Sequence, residues 1–420
     1  MEVDSGNTAW VIVATALVLF MTPGLALFYG GMVRAKNVLG MLMQNVFAMG
    51  LLGVLWALVG FSLAFGNFGD GGWIGNLDFV GLADVGQQAA TLASDGGWLE
   101  LSLTIPFILF AAFQMTFAII TPALITGSTA DRLKFSAYAV FIGAWLVLVY
   151  APVAHWVFGG GWLAELGSYD FAGGAVVHIN AGAAGLALAL LLGRRRNWPD
   201  TPMPPHSLPL TLLGTAMLWF GWAGFNAGSA LAADGVAAQA IFNTFVAASA
   251  AMLGWLLVEK LTDGHPTTLG AASGAVAGLV AITPCAGFVQ GLSPIIIGFA
   301  AGAVCFVALG IKRVARLDDS LDVVAVHLVG GLLGSLALGL FAQAEVNPAS
   351  GIPDGLVFGG GAGLFVDQVI AAVAVLVFSF VMTIVIGKVI DLVVGLRVSE
   401  EQEEQGLDLS LHLERAYNLD

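Results

Sequence analysis

The sequence has few charged residues and almost no cysteine. Charged residues make up 10% of the 420 residues, whereas soluble domains carry roughly 25%. Cys285 and Cys305 are the only cysteines and provide neither a metal-binding motif nor a disulfide framework, so we expect both to be small core residues. The net charge of −14 disfavours nucleic acid as a partner. These deficits argue against a soluble domain, a disulfide-stabilised module and a nucleic-acid-binding protein.

Long apolar segments dominate the chain instead. Hydrophobic residues make up 58% of it, and eleven stretches approach the length of about 20 residues that a helix needs to cross a bilayer. Strands of a membrane barrel would be near ten residues of alternating polarity. The predicted fold class is therefore an all-α polytopic membrane protein with eleven transmembrane helices, surrounded by lipid. The predicted spans are Ala9–Gly31, Val38–Phe65, Leu101–Ile125, Ser136–Val157, Ala172–Leu192, Leu208–Ala230, Val236–Val258, Thr268–Phe288, Gly291–Ile311, Val323–Gln343 and Phe365–Lys388.

Basic residues lie only in every second gap between these spans and in the C-terminal region. All 14 lysines and arginines follow this rule, and the intervening gaps contain none. Cationic loops stay on the cytoplasmic side, so we expect a cell-membrane protein with its N-terminus outside and its C-terminus in the cytoplasm. The segment before the first span carries Glu2 and Asp4 instead of basic residues, so no signal peptide is expected.

Two histidines lie inside predicted spans, where ionisable groups are costly and mark candidate functional sites. In the fifth span His178 follows Asp170, and in the tenth span His327 follows Asp322. In both, valines precede the histidine and small residues follow it. The two helices are an odd number of spans apart and therefore run in opposite directions. This pattern predicts an inverted repeat of helices 1–5 and 6–10, with a site near the membrane midplane and an eleventh helix outside the repeat.

The two histidines suit a site for a small polar solute. At 1.5 Å per residue, His178 would lie about 12 Å below the outer face and His327 about 8 Å above the inner face. A neutral imidazole both donates and accepts a hydrogen bond, and burial favours the neutral form. A pair of them can bind a small polar molecule or relay a proton.

Aromatic residues recur in the outer half of two spans. Phe113 and Phe117 are four residues apart and share a helix face. Phe225 and Ser229 repeat this spacing near the outer end of the sixth span. Aromatic faces attract cations, more strongly when desolvated, and a hydroxyl adds an acceptor. With the histidines, these residues indicate a cation-collecting vestibule above a narrow apolar passage.

Several motifs closely resemble the ammonium transporter family, Amt/Mep/Rh, and its prokaryotic Amt branch in particular. The resemblance covers essentially the whole chain. It rests on residues 19–31 (LFMTPGLALFYGG), 113–118 (FQMTFA), 170–178 (DFAGGAVVH), 221–229 (GWAGFNAGS), 322–327 (DVVAVH) and 395–408 (GLRVSEEQEEQGLD). It implies a homotrimer of eleven-helix subunits, each with its own pore for ammonium or methylammonium.

The resemblance also implies roles for residues in the pore. His178 and His327 would be the twin-histidine pair. Phe117 and Phe225 would be the stacked phenylalanines that close the pore above them. Trp222 would line the pore beside the histidines.

A second group of residues would form the external ammonium-recruiting site. The resemblance assigns Phe113, Phe158 and Ser229 to this site and Asp170 to a position below it. Phe158 departs from the family, which usually has tryptophan there. Because tryptophan offers the best cation–π face, we expect a weaker site unless Trp162 compensates.

By the same resemblance, residues 1–395 would form the membrane domain and residues 396–420 a cytoplasmic regulatory tail. Within the domain, the repeats are expected at about 9–195 and 208–345, and the eleventh helix at about 365–390. A PII-type signalling protein would be a partner at the cytoplasmic face.

Intact NH4+ would meet a large desolvation cost in a dry pore. We therefore expect recruitment of NH4+ outside, deprotonation near the phenylalanines and conduction of NH3 along the histidines, with a separate proton relay. Two alternatives stay open: an electroneutral Rh-type NH3 channel, which moves no charge, and an ammonium sensor. No enzyme activity, cofactor or metal is expected, because the two histidines and one aspartate lack a fourth ligand and a nucleophile.

Overall fold

The structure is a computed structural model, and it describes residues 2–418. In chain order the apolar helices are α1 (Ser5–Met32), α2 (Ala35–Phe65), α3 (Phe107–Thr129), α4 (Phe135–Leu166), α5 (Gly174–Leu192), α6 (Leu208–Ala230), α7 (Gly235–Asp263), α8 (Thr268–Ile282), α9 (Ser293–Val314), α10 (Val324–Phe341) and α11 (Gly363–Val393). Within the described range, 10 of these helices are long and apolar enough to cross a membrane, and α8 is a shorter apolar helix of 15 residues. The prediction of an all-α polytopic membrane fold is confirmed.

The third predicted span, Leu101–Ile125, is wrong at its start. Residues Ala89–Leu92 form strand β1, which pairs antiparallel with strand β2 at Leu101–Pro106. In β2, apolar and polar residues alternate, with Leu103 and Ile105 buried, and this period of two is typical of a strand. The helix α3 begins only at Phe107. Mean hydropathy alone does not distinguish such a strand from the first turns of a helix.

The fourth helix is also not continuous. It has a break at residues 158–161, between a helix that ends at Val157 and a one-turn helix at Trp162–Leu166. The break contains three glycines in a row, and Gly160 adopts a φ of +71°, which favours glycine. Phe158 therefore lies at a helix end.

Small residues bring the helices into backbone contact. Lipid provides no hydrophobic driving force for association, so transmembrane helices pack through small residues. In the pair α7 and α9, a Cβ added at Gly298 would overlap the carbonyl oxygen of Ala247, and one at Gly302 would overlap that of Ala251. The glycine-rich composition predicted such packing, and the structure shows where it occurs.

The segment after α11 folds back against loops that carry basic residues. The Lys134 amide donates to the Leu396 carbonyl at 2.9 Å, and the Val398 amide donates to the Arg132 carbonyl at 3.0 Å. Two short helices follow, α12 (Glu400–Gln405) and α13 (Leu407–His412). The Asp408 carboxylate accepts a hydrogen bond from the Gly40 amide at 2.8 Å. The tail and the loops after α1 and α3 therefore lie on the same side of the molecule.

The contact between α7 and α9 predicts a sensitive position. Gly302→Ala should force the two helices apart, because the added methyl group overlaps the Ala251 carbonyl oxygen. Overpacking of this kind costs about 1–3 kcal/mol, so the thermal unfolding midpoint of the purified protein in detergent should fall. Gly50→Ala is the matched control, because nothing lies within 4 Å of its added Cβ. Equal midpoints for both variants would contradict the close contact.

Candidate functional site

His178 and His327 lie side by side in the interior. Their Nδ1 atoms are 3.2 Å apart, and the ring centroids are 5.3 Å apart. The residues are 1% and 3% exposed. Within residues 2–418, the Nε2 atom of His178 is buried without a hydrogen-bond partner. The structure thus brings the two sequence-predicted imidazoles together and leaves a buried polar atom for a small ligand.

The Nδ1 contact determines what the neutral pair can offer. One ring donates through its Nδ1–H, so its Nε2 is an acceptor. The other ring accepts at Nδ1, so its Nε2 carries the proton and is a donor. The pair therefore presents one acceptor and one donor to a solute, whichever tautomer each ring adopts.

Glycines allow the histidines to meet. Both α5 and α10 begin with a π-helical turn that contains the histidine, at Gly174–Ile179 and Val324–Val329. Beyond these turns, a Cβ on Gly182 would overlap the Leu328 backbone, and one on Gly331 would approach the His178 Cβ to 3.1 Å. The two helices therefore cross with their backbones in contact.

An aspartate caps the start of α5. The Asp170 carboxylate accepts hydrogen bonds from the amides of Gly173, Gly174, Ala175 and Val176 at distances of 2.8, 2.6, 2.8 and 3.2 Å. The first amides of a helix have no partner within the helix, so one side chain satisfies all four. Burial raises the pKa of Asp170, and the four N–H donors act in the opposite direction.

The equivalent residue at α10 is Asp319, which sequence reasoning missed. Its carboxylate accepts from the Val324 amide at 2.7 Å and from the Ser128 hydroxyl at 2.8 Å. Burial, with a smaller contribution from the charge of Asp322, raises the pKa of Asp319 to about 6. The sequence holds a signal for it, since Asp319 precedes His327 by eight residues, as Asp170 precedes His178.

Asp322, the acid that precedes His327 in the sequence pattern, is therefore not the residue that caps α10. Asp322 lies at a φ of +64° and forms an ion pair with Lys312 at 2.5 Å. Asp322 precedes His327 by five residues, whereas Asp319 precedes it by eight. The carboxylate that accepts from the Val324 amide at the start of α10 is therefore that of Asp319.

Aromatic rings cover the histidine pair. The centroids of Phe117 and Phe225 are 4.4 Å apart, and Phe225 lies 6.0 Å from His178. Trp222 stacks on His178 at 5.5 Å, and its indole N–H donates to the Thr283 hydroxyl at 2.9 Å. The rings form a stack that begins with the phenylalanines and ends at the histidines.

A narrow slot runs along this stack. Its volume is about 10 Å³, which is close to the minimum for a single water molecule. It contains no carboxylate, lysine or arginine, and its lining residues are Met21, Leu25, Phe28, Ile120, Leu124, Val177, His178, Leu218, Trp222, Phe225, Val276 and His327. The slot therefore suits one small neutral molecule better than a hydrated ion.

A larger cavity opens on the other side of Phe117. Its volume is about 570 Å³, and its lining includes Phe158, Ser229 and Asp170. Carboxylates line it, and no lysine or arginine does. We call this cavity the outer vestibule.

Two aromatic residues considered for this site, Phe113 and Trp162, do not line the vestibule. Phe113 is fully buried, and its ring packs edge-on against Phe117 at 5.0 Å, behind the cavity surface. Trp162 stacks on Trp73 at 5.1 Å and does not line the vestibule, so it cannot compensate for Phe158. Helical periodicity predicted that Phe113 and Phe117 share a face, but it cannot tell which ring covers the other.

The sequence model described as the Ammonium Transporter Family matches residues 9–417. The chain belongs to the ammonium transporter family. It is 50% identical to an ammonium transporter of Mycobacterium tuberculosis, over 99% of this chain and 91% of that protein. The relatives at this level of identity are named as transporters and not as enzymes, and the family match together with the 10 membrane-length helices in residues 2–418 makes the chain a multi-pass membrane protein.

Solved structures of the family have the same fold. The crystal structure of Saccharomyces cerevisiae Mep2 superposes with a TM-score of 0.87 at 37% identity, over 96% of this chain and 89% of that one. A structure named Sensor Amt Protein superposes with a TM-score of 0.86 at 29% identity, over 97% of this chain and 98% of that one.

The hydrogen bonds of Asp170 to the start of α5 predict that this residue contributes to the stability of the fold. Asp170→Ala leaves four amides without their acceptor, so we expect a loss of at least about 2 kcal/mol. Asp170→Asn keeps one acceptor oxygen and should lose less. The measurement is the thermal unfolding midpoint of the purified protein, with Asp95→Ala on the exposed hairpin loop as the control. A midpoint as high as that of the control would disprove the capping role.

Proposed function

We propose that the protein takes up NH4+ in the outer vestibule, removes one proton and conducts NH3 through the slot. The observation that carries this proposal is the buried histidine pair in a slot with room for about one water-sized molecule. NH3 has that size, and it both donates and accepts hydrogen bonds, which matches what the pair presents.

The contrast between vestibule and slot supports the proton removal. NH4+ in the slot would lose its hydration shell with no carboxylate to replace it, at a large free-energy cost. The vestibule offers aromatic faces and the carboxylate of Asp170 instead. The cation is therefore stable in the vestibule, and the neutral molecule is stable in the slot.

The histidine contact also supports a proton relay. When His178 carries its proton on Nδ1, its unpartnered Nε2 can accept the proton that NH4+ gives up, and that ring becomes an imidazolium. Its Nδ1 proton then passes to the Nδ1 of His327 across the 3.2 Å contact. The Nε2 proton of His327 can then leave, and both rings must return to their first tautomers before the next proton.

We also propose the assembly and orientation that the resemblance implies. Residues 1–395 would form the membrane domain of a homotrimer with the N-terminus outside. Residues 396–420 would form a regulatory tail in the cytoplasm, where a PII-type protein could bind. The contacts of the tail with basic loops support a common, cytoplasmic side for both.

Two other functions remain candidates. An Rh-type channel would pass NH3 without moving charge. A sensor role is favoured by the likeness to the Sensor Amt Protein. In that case transport would be slow relative to ligand binding.

The histidine variants test the proposed function. His178→Ala and His327→Ala should each lower the ammonium-evoked current of proteoliposomes on solid-supported membranes by at least about tenfold, because the relay loses a member. A K+ current that appears in either variant would also support the proposal, because it would show that the histidines contribute to the exclusion of K+. His206→Ala is the control, since that ring bonds the Val33 carbonyl and the Tyr417 hydroxyl outside the slot.

Two results would contradict this proposal. Unchanged NH4+ currents with K+ still excluded, in either pore variant, would remove the histidines from the transport step. A wild-type protein that raises the internal pH under an NH3 gradient but gives no current would instead favour the electroneutral channel.

A further inference from the structure

Trp98 lines the outer vestibule, although it lies in neither a helix nor a family motif used above. It lies on the loop that joins β1 to β2 and is 45% exposed. The same cavity is lined by Phe158. An indole ring is therefore available at the vestibule from a different part of the chain.

Hydrogen bonds hold Trp98 next to the helix break that carries Phe158. The indole N–H donates to the Gly160 carbonyl at 3.1 Å. The Trp98 amide donates to the Gly69 carbonyl at 2.8 Å, and the Gly69 amide donates to the Gly159 carbonyl at 2.9 Å. Two of these anchors are the residues directly after Phe158, so the indole is held against the backbone of the helix break.

Glycines make this close approach possible. A Cβ on Gly160 would lie 2.7 Å from the Gly69 Cα and 3.3 Å from the Leu99 Cδ2. The indole N–H is occupied by a carbonyl, so the ring can interact with a ligand in the cavity only through its face and remaining edges. A tryptophan face attracts cations more strongly than a phenylalanine face.

The charge around Trp98 favours a cation as its ligand. The vestibule lining contains Glu165, Asp170 and Asp234 and no lysine or arginine. Asp170 and Asp234 both accept hydrogen bonds from helix-start amides. Trp162 does not compete for this role, because its ring stacks on Trp73 away from the cavity.

We propose that Trp98 is a cation-binding residue of the outer vestibule, where its indole face takes ammonium or methylammonium beside Phe158. This inference rests on the proposed function, because it requires that the cation is the form that enters the vestibule. It assigns to the β1–β2 loop the role that Trp162 cannot fill.

The test measures the half-saturating ammonium concentration of the transport current for Trp98→Leu. Leucine keeps apolar bulk but has no π face. We expect about a fivefold increase, equivalent to about 1 kcal/mol, with an unchanged maximal current. Trp73→Leu is the matched control, since Trp73 is a more exposed outer tryptophan that does not line the vestibule.

A rescue variant separates binding from support of the loop. Phe158→Trp, added to Trp98→Leu, supplies an indole face from the other side and should restore the half-saturating concentration. A purely structural role of Trp98 would not be rescued in this way. An unchanged value for Trp98→Leu, or an equal increase for Trp73→Leu, would overturn the inference.

A further variant keeps the inference testable if Trp98→Leu does not fold. Trp98→Phe keeps an aromatic ring whose face attracts cations less strongly, so it should raise the half-saturating concentration by about twofold, with the maximal current unchanged. A half-saturating concentration equal to that of the wild-type protein would overturn the inference. The proposed function has a separate test. It is wrong if the wild-type protein gives no ammonium current, or if the histidine variants give the same current as the wild-type protein.

Discussion

The backbone contact between α5 and α10 is the constraint on which the site depends. Gly182 and Gly331 have no side chain at the crossing, so the histidine-bearing turns approach to hydrogen-bonding distance. In a bilayer, no hydrophobic effect would hold the two helices together, and contact at small residues is what stabilises their packing. A larger residue at either glycine would push the two helices apart and so move the rings away from each other.

The unpaired amides at the two helix starts impose a second requirement. A buried N–H without an acceptor costs about 1–3 kcal/mol, which is more than the net contribution of an ordinary hydrogen bond. Asp170 meets this need at α5, and Asp319 does so at α10. Each aspartate thereby fixes the turn that carries a histidine. Both aspartates therefore have a structural role in addition to any contact with a substrate.

The distribution of charge divides the path into two environments. The outer vestibule has carboxylates and aromatic faces, whereas the slot has apolar side chains and the two imidazoles. A cation is stabilised in the first environment and penalised in the second. Under the proposed function, selection of ammonium over K+ would follow from this contrast, because K+ has no proton to give up.

The membrane class, the helix order and the two histidines could be predicted from the amino-acid sequence alone. Hydropathy, loop charge and the position of buried ionisable groups are local properties, so they can be read along the chain. The motif resemblance added the phenylalanine pair and Trp222, which lie at the slot. It could not show that Phe113 is covered by another ring.

The contacts between distant segments became visible with the folded structure. The residues predicted to begin the third span form strand β2 instead of a helix, because their backbone pairs with β1. The structure identified Asp319 as the cap of α10 and Trp98 as the vestibule indole. These depend on contacts between residues far apart in the chain, whose free energy comes from packing and hydrogen bonds that no local pattern encodes.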